Sequence, residues 1–237
     1  ASAILGQGAT PETLAAFRFE LGLNRPAYVR YFEWLSNALQ GDLGTALTNN
    51  REVLATITPR LINTLFLAGY AAVIAVPIAI FLGIFAAINE GKWIDRAANI
   101  VSLGAISVPE FFIAYILIFV FATNLGWFPS LSTVYSDMGF WQKIHVVALP
   151  SITLTMLVTA HMLRMTRASV LAIMSQPYIE MAFLKGLPRN QVILHHALPN
   201  AAAPIISVIA LNLAYLIVGV VVIEVVFVYP GVGQYMV

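Results

Sequence analysis

The sequence predicts an all-α protein of the lipid bilayer, and three observations carry that expectation. Of the 237 residues 60% are hydrophobic and only 10% charged, against roughly 25% charged in a soluble domain. Leu61 to Asn89 holds no charge between Arg60 and Glu90, which exceeds the ~20 residues needed to cross the hydrocarbon core. Further apolar stretches of spanning length follow, separated by links that hold most of the remaining charge. The net charge of +1, with no basic block interleaved with aromatics, argues against a nucleic-acid partner. Cysteine is absent, which removes disulfides, thiolate chemistry and Cys-based metal sites together.

Residues 1–60 read as a neutral, helical segment on a water-facing side. Thr10, Pro11 and Glu12 supply an N-cap, a first helical position and an early acid, and Gly22 ends that run; Pro26 starts a second run that Gly41 ends. Five Arg balance five acidic residues. The start, ASAILGQGAT, has no initiator Met and no signal-like core, and the end, GVGQYMV, stops just after an apolar run. The chain is therefore expected to be an internal piece of a longer protein.

Four spans are expected within residues 61–237, at about 61–88, 100–124, 144–166 and 201–228. In the first, Ala71, Ala75, Ala79, Gly83 and Ala87 recur every fourth residue, a small-residue stripe that admits a second helix closely. Pro77 should kink it, because proline removes a ladder hydrogen bond. The second span contains Glu110 beside Pro109. A charge at that depth is costly, by ~2.5–3.5 kcal/mol on insertion scales for comparable groups, and should face protein or water. Two readings stay open: a lining residue of a pathway, or a protonated carboxyl bonding the backbone that Pro109 loosens.

Residues 125–143 are rich in turn formers, with Trp127 and Trp141 near the two ends as interfacial anchors. The third span carries a partly polar face of Thr153, Thr155, Thr159 and His161 and gives way to Arg164 and Arg167. His145 and His161 lie 16 residues apart with no third ligand in register, so no metal site is expected. The fourth span is interrupted only by Glu224, and Pro230, Gly231 and Gly233 mark a turn after it. Glu110, Thr155, Thr159, Ser207 and Asn212 are the candidates for lining a pathway; each is also a residue type that buried helix contacts use.

Charge asymmetry gives an orientation. The links at 89–99 and 164–200 hold Lys92, Arg96, Arg164, Arg167, Lys185 and Arg189, against Lys143 alone in the opposite short loop. That bias places the 164–200 side in the cytoplasm and the first 60 residues outside.

Between the third and fourth spans, Gln176 to Asn200 reads as two short helices meeting at Gly186: Pro177 opens the first, Glu180 favours its N-terminus, Lys185 its C-terminus, and a second helix runs from Pro188 to Leu198 with Pro199 closing it. A helix of about nine residues is marginal alone, so Tyr178, Ile179, Met181, Ala182, Phe183 and Leu184 need a surface, expected on another protein. Taken without its motif, the same helix could lie on the membrane surface.

The chain contains no G-x-x-x-x-G-K-[ST] loop, no H-E-x-x-H and no G-x-S-x-G, so no catalytic residue is assigned, and an ATP-driven process would need its motor on another chain. An ion-coupled transporter or channel, with Glu110 as coupling group, is the alternative; a structural membrane anchor is a third.

Glu180-Met181-Ala182, three residues, Gly186, nine residues and His196-Ala197-Leu198-Pro199 resemble the EAA loop of permease subunits of binding-protein-dependent ABC importers. Met181 replaces the second motif position and His196 an Ile. GDLGTAL from Gly41, TPRLINTLFLA from Thr58, KGL, HHALPNAAAP and VIEVVFVYPGVG from Val222 resemble the dipeptide, oligopeptide and nickel branch of that family.

The resemblance implies a type I importer transmembrane domain with one more span before Ala1 and one after Val237. It further implies a multi-pass place in a bacterial or archaeal cytoplasmic (inner) membrane. The implied partners are a second, homologous permease, two cytoplasmic ATPase subunits that hold the ATP and Mg, and an extracytoplasmic substrate-binding protein; this chain would need no cofactor. Tyr178, Glu180, Met181, Ala182, Phe183, Lys185, Gly186 and Leu187 become the ATPase-coupling loop, within residues 168–200. The chain would then form the path for peptides or similar small solutes.

Overall fold

The computed structural model describes residues 10–20, 22–47, 49–135 and 137–237. Residues 1–9 of the expected extramembrane segment, and anything before Ala1 or after Val237, lie outside them. The chain divides into two compact units with the boundary between Pro59 and Arg60.

In the first unit, α1 (Pro11–Glu20) and α2 (Ala27–Leu39) follow the expected punctuation. The Thr10 hydroxyl accepts the Thr13 N–H at 3.3 Å, an N-cap bond. Gly22 and Gly41 stand at φ 61° and 88°, a conformation that suits glycine at a helix end. A single antiparallel bridge joins Thr45 to Glu52, after which the chain enters α3 (Val53–Ile88).

The second unit is a helical bundle of the rest of α3 with α4 (Trp93–Ser107), α5 (Glu110–Leu117), α6 (Phe140–Val146), α7 (Ala148–Met174), α8 (Pro177–Leu184), α9 (Arg189–Gln191), α10 (Leu198–Val226) and α11 (Val232–Met236). α7 and α10 pack along each other, and α4 and α5 pack on α7. The expected stripe on α3 is buried throughout, from Ala71 to Ala87. Its tightest point is Gly83, where a Cβ would stand 2.8 Å from Thr166 Cβ and 2.9 Å from the Leu163 carbonyl oxygen. The core is dominated by Leu67, Ala71, Ala114, Leu149, Leu154, Val220 and Phe227.

The structure corrects the expected helices in three places. The stretch 100–124 is broken, α4 and the segment Glu110–Asn124 meeting at 100°. Val108, preceding Pro109, is extended at φ −96° and ψ 132°, as proline requires of its neighbour, and α5 restarts behind Pro109 and runs into a π-helical stretch, Ile118–Asn124. The stretch 144–166 is bent by 60° between α6 and α7, and Arg164 and Arg167 do not end α7, which continues to Met174; arginine is a good helix former. α3 runs unbroken through Pro77. Two helices, Val53–Ile88 and Val192–Val226, are long and apolar enough to cross a membrane, and four spans result if each bent pair is one.

The third correction concerns Pro199, which does not close a helix. A π-helical turn, Val192–Ala197, joins α9 to α10 directly. Its wider winding comes immediately before Pro199, where a proline ring would otherwise meet the carbonyl one turn back. The turn also buries Val192, Ile193 and Ala197 while His196 is half-buried, so the bulky apolar side chain that the motif prefers at 196 is not needed there.

Candidate functional site

The 176–200 loop is held from within. Pro177 takes the first helical position of α8, and the Ile179 and Glu180 N–H groups donate to the Gln176 carbonyl at 3.0 and 3.3 Å. At the other end Gly186 N–H donates to the Phe183 carbonyl at 2.9 Å and Leu187 N–H to the Ala182 carbonyl at 3.4 Å, with Gly186 at φ 81°. That pair of bonds around a left-handed glycine is a Schellman motif. Leu187 packs on the cluster containing Ala182, the apolar contact that accompanies such a stop. The four-residue spacing of Ala182 and Gly186 is therefore the spacing of a helix stop.

Ile179 and Ala182 are buried against Val192 and Ala197 of the same chain. The expectation that both await another protein is corrected accordingly: the two faces of α8 divide the work. Tyr178, Glu180, Met181, Phe183, Leu184, Lys185 and Gly186 are exposed and Leu187 is half-buried, Leu184 reaching 74%. The outward face thus offers Tyr178, Met181 and Leu184, three apart in sequence and adjacent on one side of the helix.

One contact ties this loop to the spans, and a second joins the neighbouring polar link to α7. An Arg189 guanidinium nitrogen donates to the Ile88 carbonyl at the end of α3, 3.0 Å away. In the polar link before the second span, Asp95 receives Arg167 Nε at 2.5 Å and Nη2 at 2.8 Å, Gly91 N–H at 3.0 Å and Asn99 Nδ2 at 3.0 Å. The Arg167 guanidinium holds the Asp95 carboxyl below the usual carboxylate range, against the opposing effect of burial.

At the far end of α10, Glu224 is fully buried. Its Oε1 accepts the Thr64 hydroxyl at 2.5 Å and its Oε2 the Gln234 N–H at 3.1 Å, while Thr64 Oγ1 accepts the Val232 N–H at 3.0 Å. Tyr229 Oη donates to the Asn63 carbonyl at 2.8 Å, and Asn63 Nδ2 to the Pro230 carbonyl at 3.0 Å. The TPRLINTLFLA and VIEVVFVYPGVG runs therefore meet. A Cβ on Gly231 would fall 2.0 to 2.3 Å from the Glu224 carboxyl atoms, so only glycine fits.

A cavity of about 910 Å³ opens where the α4–α5 break faces α7 and α10. Leu154, Leu157, Val158, Leu211 and Leu216 line it, and Glu110, His161 and Asn212 are polar points in that wall. Glu110 Oε2 is buried with no hydrogen-bond partner among the described residues. Asn212 Nδ2 donates to the Val208 carbonyl at 2.8 Å. The other candidates lie off the lining: Thr155 Oγ1 points to the Ala71 carbonyl at 3.4 Å, Ser207 Oγ donates to the Ala203 carbonyl at 3.2 Å, and Thr159 Oγ1 is buried without a partner among the described residues.

Residues 79–237 match the family of binding-protein-dependent transport system inner membrane components. The chain is 36% identical over 236 residues to the "Probable peptide ABC transporter permease protein y4tP" of Sinorhizobium fredii, an alignment covering 99% of this chain and 75% of the relative. It is 38% identical over 234 residues to the glutathione transport system permease protein GsiC of Escherichia coli O6:H1, covering 99% and 74%. With helices of spanning length and a family match over most of its residues, the chain belongs to the binding-protein-dependent transport system inner membrane component family, as a permease subunit of an ABC importer.

Proposed function

We propose that this permease carries peptides or similar small solutes, glutathione-like tripeptides included, through the cavity between the α4–α5 break, α7 and α10. The fold would be the type I importer transmembrane domain, with one further span before Ala1, one after Val237, and the 168–200 loop in the cytoplasm. A second, related permease completes the path, an external binding protein delivers the solute, and two ATPase subunits supply the motion.

The observation that carries this reading is the split character of α8. Its inner face is already satisfied, while Tyr178, Met181 and Leu184 remain exposed on a helix firmly stopped at Gly186. Such a surface suits insertion into a groove of an ATPase subunit. ATP-driven closure of the two ATPases would then move α8, rock the spans and open the cavity outward; hydrolysis would reset it inward.

The test is co-purification with the ATPases combined with uptake in proteoliposomes. Leu184→Asp should lose the ATPases and ATP-driven uptake together while the permease pair remains intact. Uptake driven by an ion gradient in the absence of any ATPase would overturn the reading in favour of a secondary transporter.

A further inference from the structure

We propose that the Glu110 carboxylate is the acceptor for a cationic amino group of the transported solute, making the cavity selective for ammonium-bearing substrates. This rests on the cavity being the transport path, and it adds a chemical class to that path.

The cavity wall is largely aliphatic; among the described residues Glu110 is the one acidic side chain on it, and no Lys or Arg lines it. A small number of polar groups in an apolar wall is how small-molecule sites fix orientation, and a volume of this size takes a ligand of small-peptide dimensions. Two of the neighbouring polar groups are engaged locally, Asn212 Nδ2 on the Val208 carbonyl and Ser107 Oγ on the Leu103 carbonyl, at 2.8 and 2.7 Å, while His161 and Tyr215 also stand on the lining. Glu110 Oε2 is left without a partner among the described residues although it is buried. A buried acceptor in that condition is complementary to a donor that arrives from elsewhere.

The local architecture sets the carboxyl group on the cavity wall. Pro109 precedes Glu110 and sets it at the first position of α5, beside the 100° break. Facing it on α10 is Gly219, where even a Cβ would stand 3.9 Å from Oε2. Any larger side chain at 219 would enter the space beside the carboxylate.

The ligand class follows from what the site lacks. A divalent metal wants six or more oxygens, or several nitrogen and oxygen ligands, and no group of three His, Asp or Glu suited to a metal occurs among the described residues. One carboxylate with an apolar surround fits one ammonium, whose charge-assisted hydrogen bonds gain strength away from water.

The absence of cysteine makes a direct test available. Val218→Cys places a reporter thiol on the lining of the complete complex of both permeases and the ATPases, with cysteine-free partners, in nanodiscs. Maleimide labelling is then followed with a tripeptide amide bearing a free N-terminal amine, and with its N-acetylated form, the binding protein being left out so that its own preferences play no part. The expected result is that the free amine slows labelling, the acetylated peptide does not, and E110Q raises the half-protecting concentration at least tenfold while Glu110→Asp retains part of the protection. Equal protection by both peptides, no protection by either, or unaltered protection in E110Q would overturn the proposal. So would loss of the second permease from the E110Q complex, since the carboxylate would then serve the subunit contact. ATP-driven uptake by the unsubstituted complex is measured in parallel: if it persists when amine selectivity fails, this inference falls and the permease reading stands.

Discussion

Thr64 and Glu224, 160 residues apart, are joined by a buried 2.5 Å hydrogen bond from the threonine hydroxyl to Oε1. Thr64 also accepts the Val232 N–H, so one hydroxyl connects α3, the end of α10 and the start of α11. Thr64→Val keeps the shape and removes both bonds, leaving a buried carboxylate oxygen and an N–H unmatched. A loss of about 2–6 kcal/mol is expected, from ~1–3 kcal/mol for each of the two groups left unsatisfied. Thermal unfolding of the detergent-solubilised complex should show it, and an unchanged midpoint would remove Thr64 from this role.

Gly231→Ala addresses the same junction by crowding. Its Cβ would overlap a carboxyl group held by two hydrogen bonds, and displacing it should cost ~1–3 kcal/mol as overpacking does. Combining Gly231→Ala with Glu224→Ala should recover part of that loss, because the second change removes the obstacle; a double variant whose loss is the plain sum of the two would show that Gly231 is constrained by something else.

For Gly186 the constraint is conformational. Nothing lies within 4 Å of a Cβ built there, yet φ is 81°. Alanine should therefore weaken the helix stop by ~1–2 kcal/mol, and Asn, which tolerates this region, should cost less. The readout is coupled uptake per ATP hydrolysed. The order Gly, Asn, Ala is expected, and equality of Asn and Ala would shift the explanation to side-chain volume.

Asp95 supplies a pH dependence. Its folded pKa is depressed by Arg167, so its contribution is present above the unfolded value of about 3.9 and is lost as pH falls below that toward the folded value. Asp95→Asn should lower stability by about 1.5–3 kcal/mol at neutral pH, the range for hydrogen bonds to charged groups. The gap between the two proteins should close below pH ~4. A gap constant from pH 7 to 3 would show that the carboxylate charge contributes nothing.

What the residues made legible was periodicity and punctuation. The stripe from Ala71 to Ala87, the stops at Gly22, Gly41 and Gly186, and the opening of α8 at Pro177 are local signals, and the helices follow them. Proline was harder to read, because its effect depends on surroundings that hydropathy does not record. Pro109 produces a 100° break, Pro77 no interruption, and Pro199 is absorbed by a π turn. Pairings were illegible for a different reason: Asp95 with Arg167 and Thr64 with Glu224 are 72 and 160 residues apart, and nothing in their local sequence marks one as the partner of the other. Of the lining candidates, Glu110 and Asn212 face the cavity, whereas Thr155 and Ser207 spend their hydroxyls on helix carbonyls, a choice set by rotation about the helix axis.

The joining of α9 to α10 has a mechanical consequence. Val192 to Val226 forms one helix of 35 residues, a strut of roughly 50 Å at 1.5 Å per residue. One end carries the surface on which α8 rests, through Val192 and Ala197. The other end carries Glu224 and the turn it secures. A displacement of the loop would thus travel to the Glu224 end along a single continuous backbone, with no intervening loop to absorb it.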